Sequence, residues 1–401
     1  MRVLIAHNFY QQAGGEDAVF AAERDLLRSH GHDVETVTDH NDRIEGMHPV
    51  TLALGTIWSR EGYRAVRAAL RRSKADILHV HNTFPLLSPS VYEAARAEGV
   101  PVVQTLHNYR LVCPAGTLFR DDRVCRDCMD VRVPWPAVRF GCYQRSRLRS
   151  GGVAAMLLFH RLARTWSRRV ARYIVMSRFA RDLFIEAGLP AARLVVKPHF
   201  VAPDPGIGRG EGGYALFVGR LAAGKGLETL CRAWRQLGDR QLKIAGDGPL
   251  SARVRELVAD APNIELLGHR SRDEVAALMG SAAVVVFPSE SYESFGLVVI
   301  EAFARGTPVI AARLGSTEDL VVDGVNGATY GAGDVEALAA CARRLLDAPT
   351  TLAALRSGAR QSYEAAYTAE RNYEHMIAVY EAARGAAAPA SDVLRTRGDE
   401  R

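Results

Sequence analysis

Short apolar runs alternate with longer amphipathic stretches from the start of the chain. "RVLIAHN" has the pattern of a buried strand; a Gly-containing loop, the helical spacing of "EDAVFAAERDLLRSHG" and the run "DVETVTD" follow it. "ADILHVHN" and "PVVQTLHN" repeat the strand pattern, each ending in His-Asn. Strands that alternate with helices predict a parallel, doubly wound sheet, since a parallel crossover needs a dozen or more residues. After the Pro- and Gly-rich stretch "PHFVAPDPGIGRGEGG" the rhythm restarts with "YALFVGR", "QLKIAGDG", "NIELLGH", "AAVVVFPS" and "TPVIAAR". The pattern therefore predicts two α/β domains, residues 1–198 and 213–364, with a linker at 199–212. A last helix over 365–384 and a polar, aperiodic tail over 385–401, expected to be disordered, complete the chain.

Composition narrows the class. At 401 residues, 48% hydrophobic and 24% charged, the chain has the balance of a soluble globular protein of two or three domains. No run approaches the roughly 20 apolar residues of a membrane span, and the run in "MRVLIAHNFY" is too short for a signal peptide, so a cytoplasmic location is expected. Charge placement says more than the net +6. Between Val131 and Arg181 there are twelve arginines and no Asp, Glu or Lys, which leaves the remainder mildly acidic. Within that segment Met156, Leu157, Leu158, Phe159 and Trp166 mix with Arg161, Arg164, Arg168 and Arg169. Two readings stay open: an amphipathic helix lying on anionic lipid at the inner membrane face, and a solvated helix with its apolar side in the core. The segment has no interleaved stacking aromatics of an RNA module and no helix-turn-helix pattern, so nucleic acid is not an expected partner.

In open parallel sheets ligands bind beyond the carboxyl ends of the strands, so candidate chemistry is sought there. Gly14 and Gly15 follow the first strand and could let a phosphate or sugar approach; no G-x-G-x-x-G accompanies them, which counts against a dinucleotide site. Arg220 and Lys225 flank the loop after "YALFVGR", just before a helix, an arrangement suited to a diphosphate. After "AAVVVFPS" come Glu293, the amides of Phe295, Gly296 and Leu297 at a helix start, and Glu301 among apolar neighbours. A carboxylate in such surroundings needs a partner. That partner is either the vicinal hydroxyls of a bound sugar or ribose, or an internal arginine or backbone group.

"VGRLAAGKG", "IAGDGPL", "LLGHRSRDEVAALMGSAAVVVFPSESYESFG" and the E-x7-E from Glu293 to Glu301 together resemble the retaining glycosyltransferases of family 4, which have the GT-B fold of two facing Rossmann-like domains. The resemblance is specific in the C-terminal half and looser in the N-terminal half. It implies transfer of a sugar from a nucleotide-diphosphate sugar to a saccharide or lipid-linked saccharide, in cell-surface or extracellular polysaccharide synthesis, by front-face substitution. It implies that Arg220 and Lys225 stabilise the leaving diphosphate, that Glu293 holds the transferred sugar, and that Glu301 holds the ribose. Phe295, Gly296 and Leu297 would contact sugar and phosphate through their amides, and Gly268 and His269 would meet the base. His107 would touch the sugar near the reacting carbon, Gly15 would belong to the loop closing over the diphosphate, and the last helix would cross back to the N-terminal domain. No D-x-D pair follows a strand, so no catalytic metal is expected.

Cys113, Cys125, Cys128 and Cys142 form C-x11-C-x2-C-x13-C in a loop-like stretch, and two readings remain, a structural zinc site and free thiols or a disulfide. A sugar-nucleotide epimerase or phosphorylase of the same two-domain fold, and a non-catalytic nucleotide-sugar sensor, are the competing functions. A dehydrogenase lacks its glycine fingerprint. Base, sugar and acceptor cannot be read from the sequence.

Overall fold

The structure, a computed structural model, describes residues 1–12 and 14–387. The N-terminal domain contains β1 (Arg2–Phe9), β2 (Asp33–His40), β3 (Ile77–Val80), β4 (Val102–Thr105), a short hairpin of β5 (Phe119–Arg120) and β6 (Arg123–Val124), then β7 (Arg172–Val175) and β8 (Leu194–Val196). Its main sheet has the order β2-β1-β3-β4-β7-β8, with every pairing parallel. The second domain contains β9 (Tyr214–Val218), β10 (Gln241–Ala245), β11 (Ile264–Gly268), β12 (Val284–Phe287), β13 (Val309–Arg313) and β14 (Gly327–Gly331), in the parallel order β11-β10-β9-β12-β13-β14. Strand order therefore reverses beside β1 in one sheet and beside β9 in the other, the places where doubly wound sheets open crevices.

Strands buried on both faces need continuous apolar runs, and Val3, Leu4, Ile5 and Ala6 of β1 and Val284, Val285 and Val286 of β12 supply them. The two domains share a core element. The last helix, Ala369–Ala387, lays Met376, Val379, Tyr380 and Ala383 into the cluster of Val3, Ile5, Ile77, Val103 and Ile174 under the N-terminal sheet. It runs to Ala387, into the tail expected to be disordered; the rest of that tail, 388–401, lies outside the described residues. The chain crosses between domains twice, at Phe200–Val201 and at Tyr367–Ala369, where the Val201 amide donates to the Tyr367 carbonyl at 3.0 Å.

The Arg-rich segment forms the helix Arg147–Leu162, started by the Ser146 hydroxyl, which accepts from the Arg149 amide. Met156 and Leu157 of this helix, and Trp166 just after it, are buried in the N-terminal core, so for these three residues the structure takes the reading with the apolar side in the core. Phe159 stays exposed. Among the described residues no helix is long and apolar enough to cross a membrane.

Candidate functional site

Three adjacent strands of the N-terminal sheet run into the same dipeptide, His7-Asn8 in β1, His81-Asn82 after β3 and His107-Asn108 after β4. The asparagines stitch the strand ends together: Asn82 Nδ2 donates to the Asn8 carbonyl at 2.7 Å, and the Asn8 amide donates to the Asn82 carbonyl at 3.0 Å. The histidines form a buried chain. His81 Nδ1 lies 3.0 Å from His107 Nε2, and the His107 ring stacks between His81 and His199. On the far side, His81 Nε2 is 3.5 Å from Glu23 Oε2, and neither atom has another partner. Lys197 Nζ holds the other Glu23 oxygen at 2.6 Å, in an ion pair sealed from solvent.

Burial alone would raise Glu23, but Lys197 and the neighbouring histidines pull its carboxyl down, so it is an anion. Burial, then the neighbouring histidines, hold His81 and His107 neutral, far below the usual imidazole range. One proton arrangement satisfies all three groups: His81 points Nε2–H at Glu23 and accepts at Nδ1 from His107 Nε2–H. That leaves His107 Nδ1 as an acceptor with no protein partner among the described residues. None of Glu23, His81 or Lys197 was singled out from the sequence.

The opposite wall comes from the second domain. Gly226, at φ 66°, lets the loop after β9 press against the end of β12; a Cβ there would meet the Pro288 carbonyl at 1.8 Å. This brings Lys225 to Glu293, with Nζ 2.6 Å from Oε1, and the Ser289 hydroxyl donates to the same oxygen at 2.6 Å. Arg220 is exposed, and among the described residues it has no carboxylate partner. The Tyr109 hydroxyl crosses from the N-terminal domain to the Glu293 carbonyl at 3.0 Å, and the Ser316 hydroxyl donates to that carbonyl at 2.7 Å. A cavity of about 250 Å³ lies between these walls, lined by His107, Asn108 and Tyr109 on one side and Lys225, Tyr292 and Glu293 on the other. Three of the residues read from sequence, His107, Lys225 and Glu293, thus meet in one space.

The others sit around it. The helix Leu297–Ala304 begins after Gly296, and Glu301 lies one turn along it, half-buried. Burial raises the Glu301 carboxyl; Arg272 opposes this from a distance, and no donor among the described residues is within hydrogen-bonding reach of it. The internal arginine partner considered for Glu301 is therefore not bonded to it. Gly268 ends β11, and His269 follows it, exposed. Phe295 buries its ring against His199, at 5.2 Å between centroids, so only its backbone is available to a ligand. Gly14 gives its amide to Asp17 Oδ2 at 2.9 Å, while the space that a Cβ would take there is open. Gly15 is needed for a different close approach: a Cβ there would come within 2.8 Å of Leu297 Cδ1 across the domain boundary.

Glu16, next in the chain, was not anticipated either. Burial, then Asp17, pushes its carboxyl up to about 8, and Asn108 Nδ2 donates to Oε2 at 3.4 Å. It is a proton-carrying group directly after Gly15, the residue that approaches Leu297 across the domain boundary.

The four cysteines of the loop are free thiols. A tetrahedral zinc places sulfurs about 3.8 Å apart, whereas among the described residues no three of their Sγ atoms lie within 4.8 Å of one another. Burial pushes Cys128 up to about 12 and also raises Cys142, so both favour the thiol over the thiolate that a metal requires. As placed, they do not fit a zinc ion, and zinc in this loop is a proposal that requires the side chains to rotate together. A tighter set, Glu23, His79 and His81, has Lys197 on the same carboxylate, where an ammonium already supplies the positive charge.

Comparison with known proteins agrees with this architecture. Residues 14–199 match the model of a glycosyl transferase 4-like domain, and residues 212–348 that of glycosyl transferases group 1. The chain is 31% identical to the 2-deoxystreptamine glucosyltransferase of Streptomyces kanamyceticus over 330 residues, 79% of each chain. It is 40% identical over 120 residues to an uncharacterized glycosyltransferase of Methanocaldococcus jannaschii, a match spanning 29% of this chain and 34% of that relative. The structure of Anabaena HepE in complex with UDP and glucose superposes with a TM-score of 0.67 at 18% identity, covering 94% of this chain and 99% of that one. Sucrose-phosphate synthase of Thermosynechococcus elongatus superposes with a TM-score of 0.69 at 19% identity, covering 94% and 98%. Two parallel six-stranded sheets, the residues meeting between them and these matches lead to one conclusion: the chain belongs to the group 1, family 4-type glycosyltransferases of GT-B fold.

Proposed function

We propose that the protein moves a sugar from a nucleoside-diphosphate sugar to a saccharide or lipid-linked saccharide, with retention at the anomeric carbon, in the assembly of a cell-surface or extracellular polysaccharide. The observation that carries this reading is the single cavity into which His107, Lys225 and Glu293 converge from two domains. Lys225 and Arg220 receive the diphosphate, Glu301 the ribose hydroxyls, and Glu293 the hydroxyls of the transferred sugar. When the donor binds, Lys225 exchanges a carboxylate for a phosphate, and Glu293 exchanges an ammonium for hydroxyl donors.

The reaction breaks the bond from the anomeric carbon to the phosphate oxygen and forms one to the acceptor oxygen on the same face. The departing phosphate oxygen takes the acceptor's proton, and the nucleoside diphosphate leaves. Charge growing on that phosphate is what the site must stabilise, and preorganised cations do so without reorganising in the transition state. Glu293, the one carboxylate lining the cavity, is bonded to Lys225 and Ser289, which favours its role as a binding group over that of a nucleophile. His107 Nδ1 accepts a hydroxyl of the transferred sugar. Since a structure of like fold was solved with UDP and glucose, UDP-glucose is the first donor to test.

The experiment is a thermal-shift screen of UDP-, GDP- and ADP-sugars, followed by turnover with soluble and lipid-linked acceptors and NMR of the product's anomeric proton. A stabilising donor that gives a product of unchanged anomeric configuration is expected. An inverted product would overturn retention, and a donor converted without any acceptor would point to an epimerase.

A further inference from the structure

Nine of the twelve large apolar side chains left exposed among the described residues lie in one region of the N-terminal domain. The helix Pro49–Ile57 carries no charge and shows Val50, Leu54 and its C-cap Trp58 to solvent, at the i, i+4, i+8 spacing of one face. It packs on the Arg-rich helix Arg147–Leu162, which shows Leu148, Phe159 and Leu162; at 3.6 residues per turn these fall within about 60° of one another. A Cβ at Gly152 would lie 3.4 Å from the Ala53 Cβ, so the two helices touch there. Gly152 neighbours Leu148 on its helix and Ala53 neighbours Val50 on the other, and the two apolar stripes flank one seam. The short helix Trp135–Phe140, packed on the same Arg-rich helix, adds Trp135 and Phe140.

Charge frames this surface. Arg145, Arg147 and Arg149 are exposed at one end of the Arg-rich helix, and Arg164 and Arg168 at the other. Among the described residues none of the five pairs with a carboxylate; the ion pairs of the segment belong to Arg169, Arg178 and Arg181. Glu45 and Glu61, beyond the two ends of the uncharged helix, are engaged by Gln11 and Arg43. A patch that is apolar in the middle and cationic at both ends matches one environment well: the interface of an anionic bilayer, where apolar groups enter the acyl boundary and guanidiniums stay among phosphates.

We propose that this three-helix face docks the protein on an anionic lipid surface, with Leu54, Trp58, Leu148 and Phe159 entering the interface and the flanking arginines binding headgroup phosphates. The proposal rests on no step of the transfer reaction. A large exposed apolar patch needs an occupant, and the arginines choose lipid over a second copy of the chain, whose equally cationic face would repel it. Docked in this way, the N-terminal domain would hold a lipid-linked acceptor near the cleft.

The test is co-sedimentation of the full chain with vesicles of phosphatidylcholine alone and of phosphatidylcholine with phosphatidylglycerol. Binding to the anionic vesicles that weakens with salt is expected. Replacing Arg145, Arg147 and Arg149 with Gln should weaken it about a hundredfold, at roughly fivefold per residue. Leu54→Ser with Leu148→Ser and Phe159→Ser should weaken it at least tenfold, with unchanged melting temperature and donor-induced shift. Equal binding to both vesicle types would overturn the proposal. So would retention of binding by the serine variant, which would leave plain electrostatic adsorption, or a solution dimer broken by that variant in a protein that ignores vesicles.

Discussion

Lys225 Nζ sits 2.6 Å from Glu293 Oε1, so the cation proposed to receive a phosphate and the carboxylate proposed to hold a sugar are bonded to each other. The pair is partly exposed, with side-chain accessibilities of 31% and 19%. Pairing keeps both charges in the wall of the cavity at little cost and gives each a partner to exchange. Lys225→Ala is expected to reduce turnover about 10²- to 10³-fold, the scale of one lost transition-state contact. Steady-state kinetics with the identified donor checks this, and wild-type turnover in the variant would remove Lys225 from the mechanism.

Glu301 separates stability from binding. Its carboxylate is half-buried with no bonded partner among the described residues, so it is a group that weakens the fold unless something binds it. Glu301→Gln keeps the shape and discards the charge. The variant should melt one or two degrees higher than wild type and bind donor at least ~10-fold more weakly. A lower melting temperature together with unchanged donor affinity would mean that the residue serves the fold alone.

In the proposed site His81 acts through His107, whose Nε2 lies 3.0 Å from its Nδ1. His81→Gln can still donate toward Glu23, but it no longer presents a ring nitrogen in the geometry that fixes the His107 tautomer. Turnover should fall about 10- to 100-fold while the donor KM moves less than about threefold. A purely structural role would instead appear as a lower melting temperature with normal turnover in the protein that remains folded.

Glu16 gives a pH dependence with a definite sign. Its folded carboxyl, at about 8, titrates above the ordinary 4.5 of an unfolded chain. Between those values the folded state holds a proton that the unfolded state has lost, so wild type loses stability as pH rises through the window. Glu16→Gln removes that loss. Its melting temperature relative to wild type should climb from about pH 5 to pH 8 and level off above. Buried neutral histidines such as His79, held at about 4 by burial, weaken both proteins at acid pH and cancel in the difference. A difference that does not change with pH would place the Glu16 carboxyl in its ordinary range.

The cysteine loop is decided by metal analysis. If zinc gathers the four thiols, protein purified without added metal should carry about one equivalent, and Cys125→Ser should lose it with a fall in melting temperature. The placement of the sulfurs favours the other outcome, no metal and four titratable thiols.

Lys225 and Glu293 were legible because each follows an obvious strand run, and neighbouring strands β9 and β12 bring their loops together across 68 residues of sequence. The pair Lys197 and Glu23, 174 residues apart, was not, because a lysine in "VVKPHF" has the local appearance of a surface residue. The Arg-rich helix stayed ambiguous for a related reason. Apolar residues lie all round it, and the sequence alone does not tell which of Leu157 and Phe159 meets the core. β14 went unread because "GATYG" lacks both a continuous apolar run and an alternation.

The Tyr380 hydroxyl lies 2.8 Å from His79 Nδ1, across 301 residues of chain. The helix that carries Tyr380 fills the underside of β1, β3, β4 and β7. The N-terminal domain is therefore completed only after the second domain has been made, since its apolar floor is missing until Met376–Ala383 have been synthesised. Until then Val3, Ile5, Ile77 and Val103 lack their cover, and the nascent chain carries an adhesive sheet that a chaperone or the second domain must shield. A chain ending near residue 365 would keep every group of the proposed transfer site and still lack this cover.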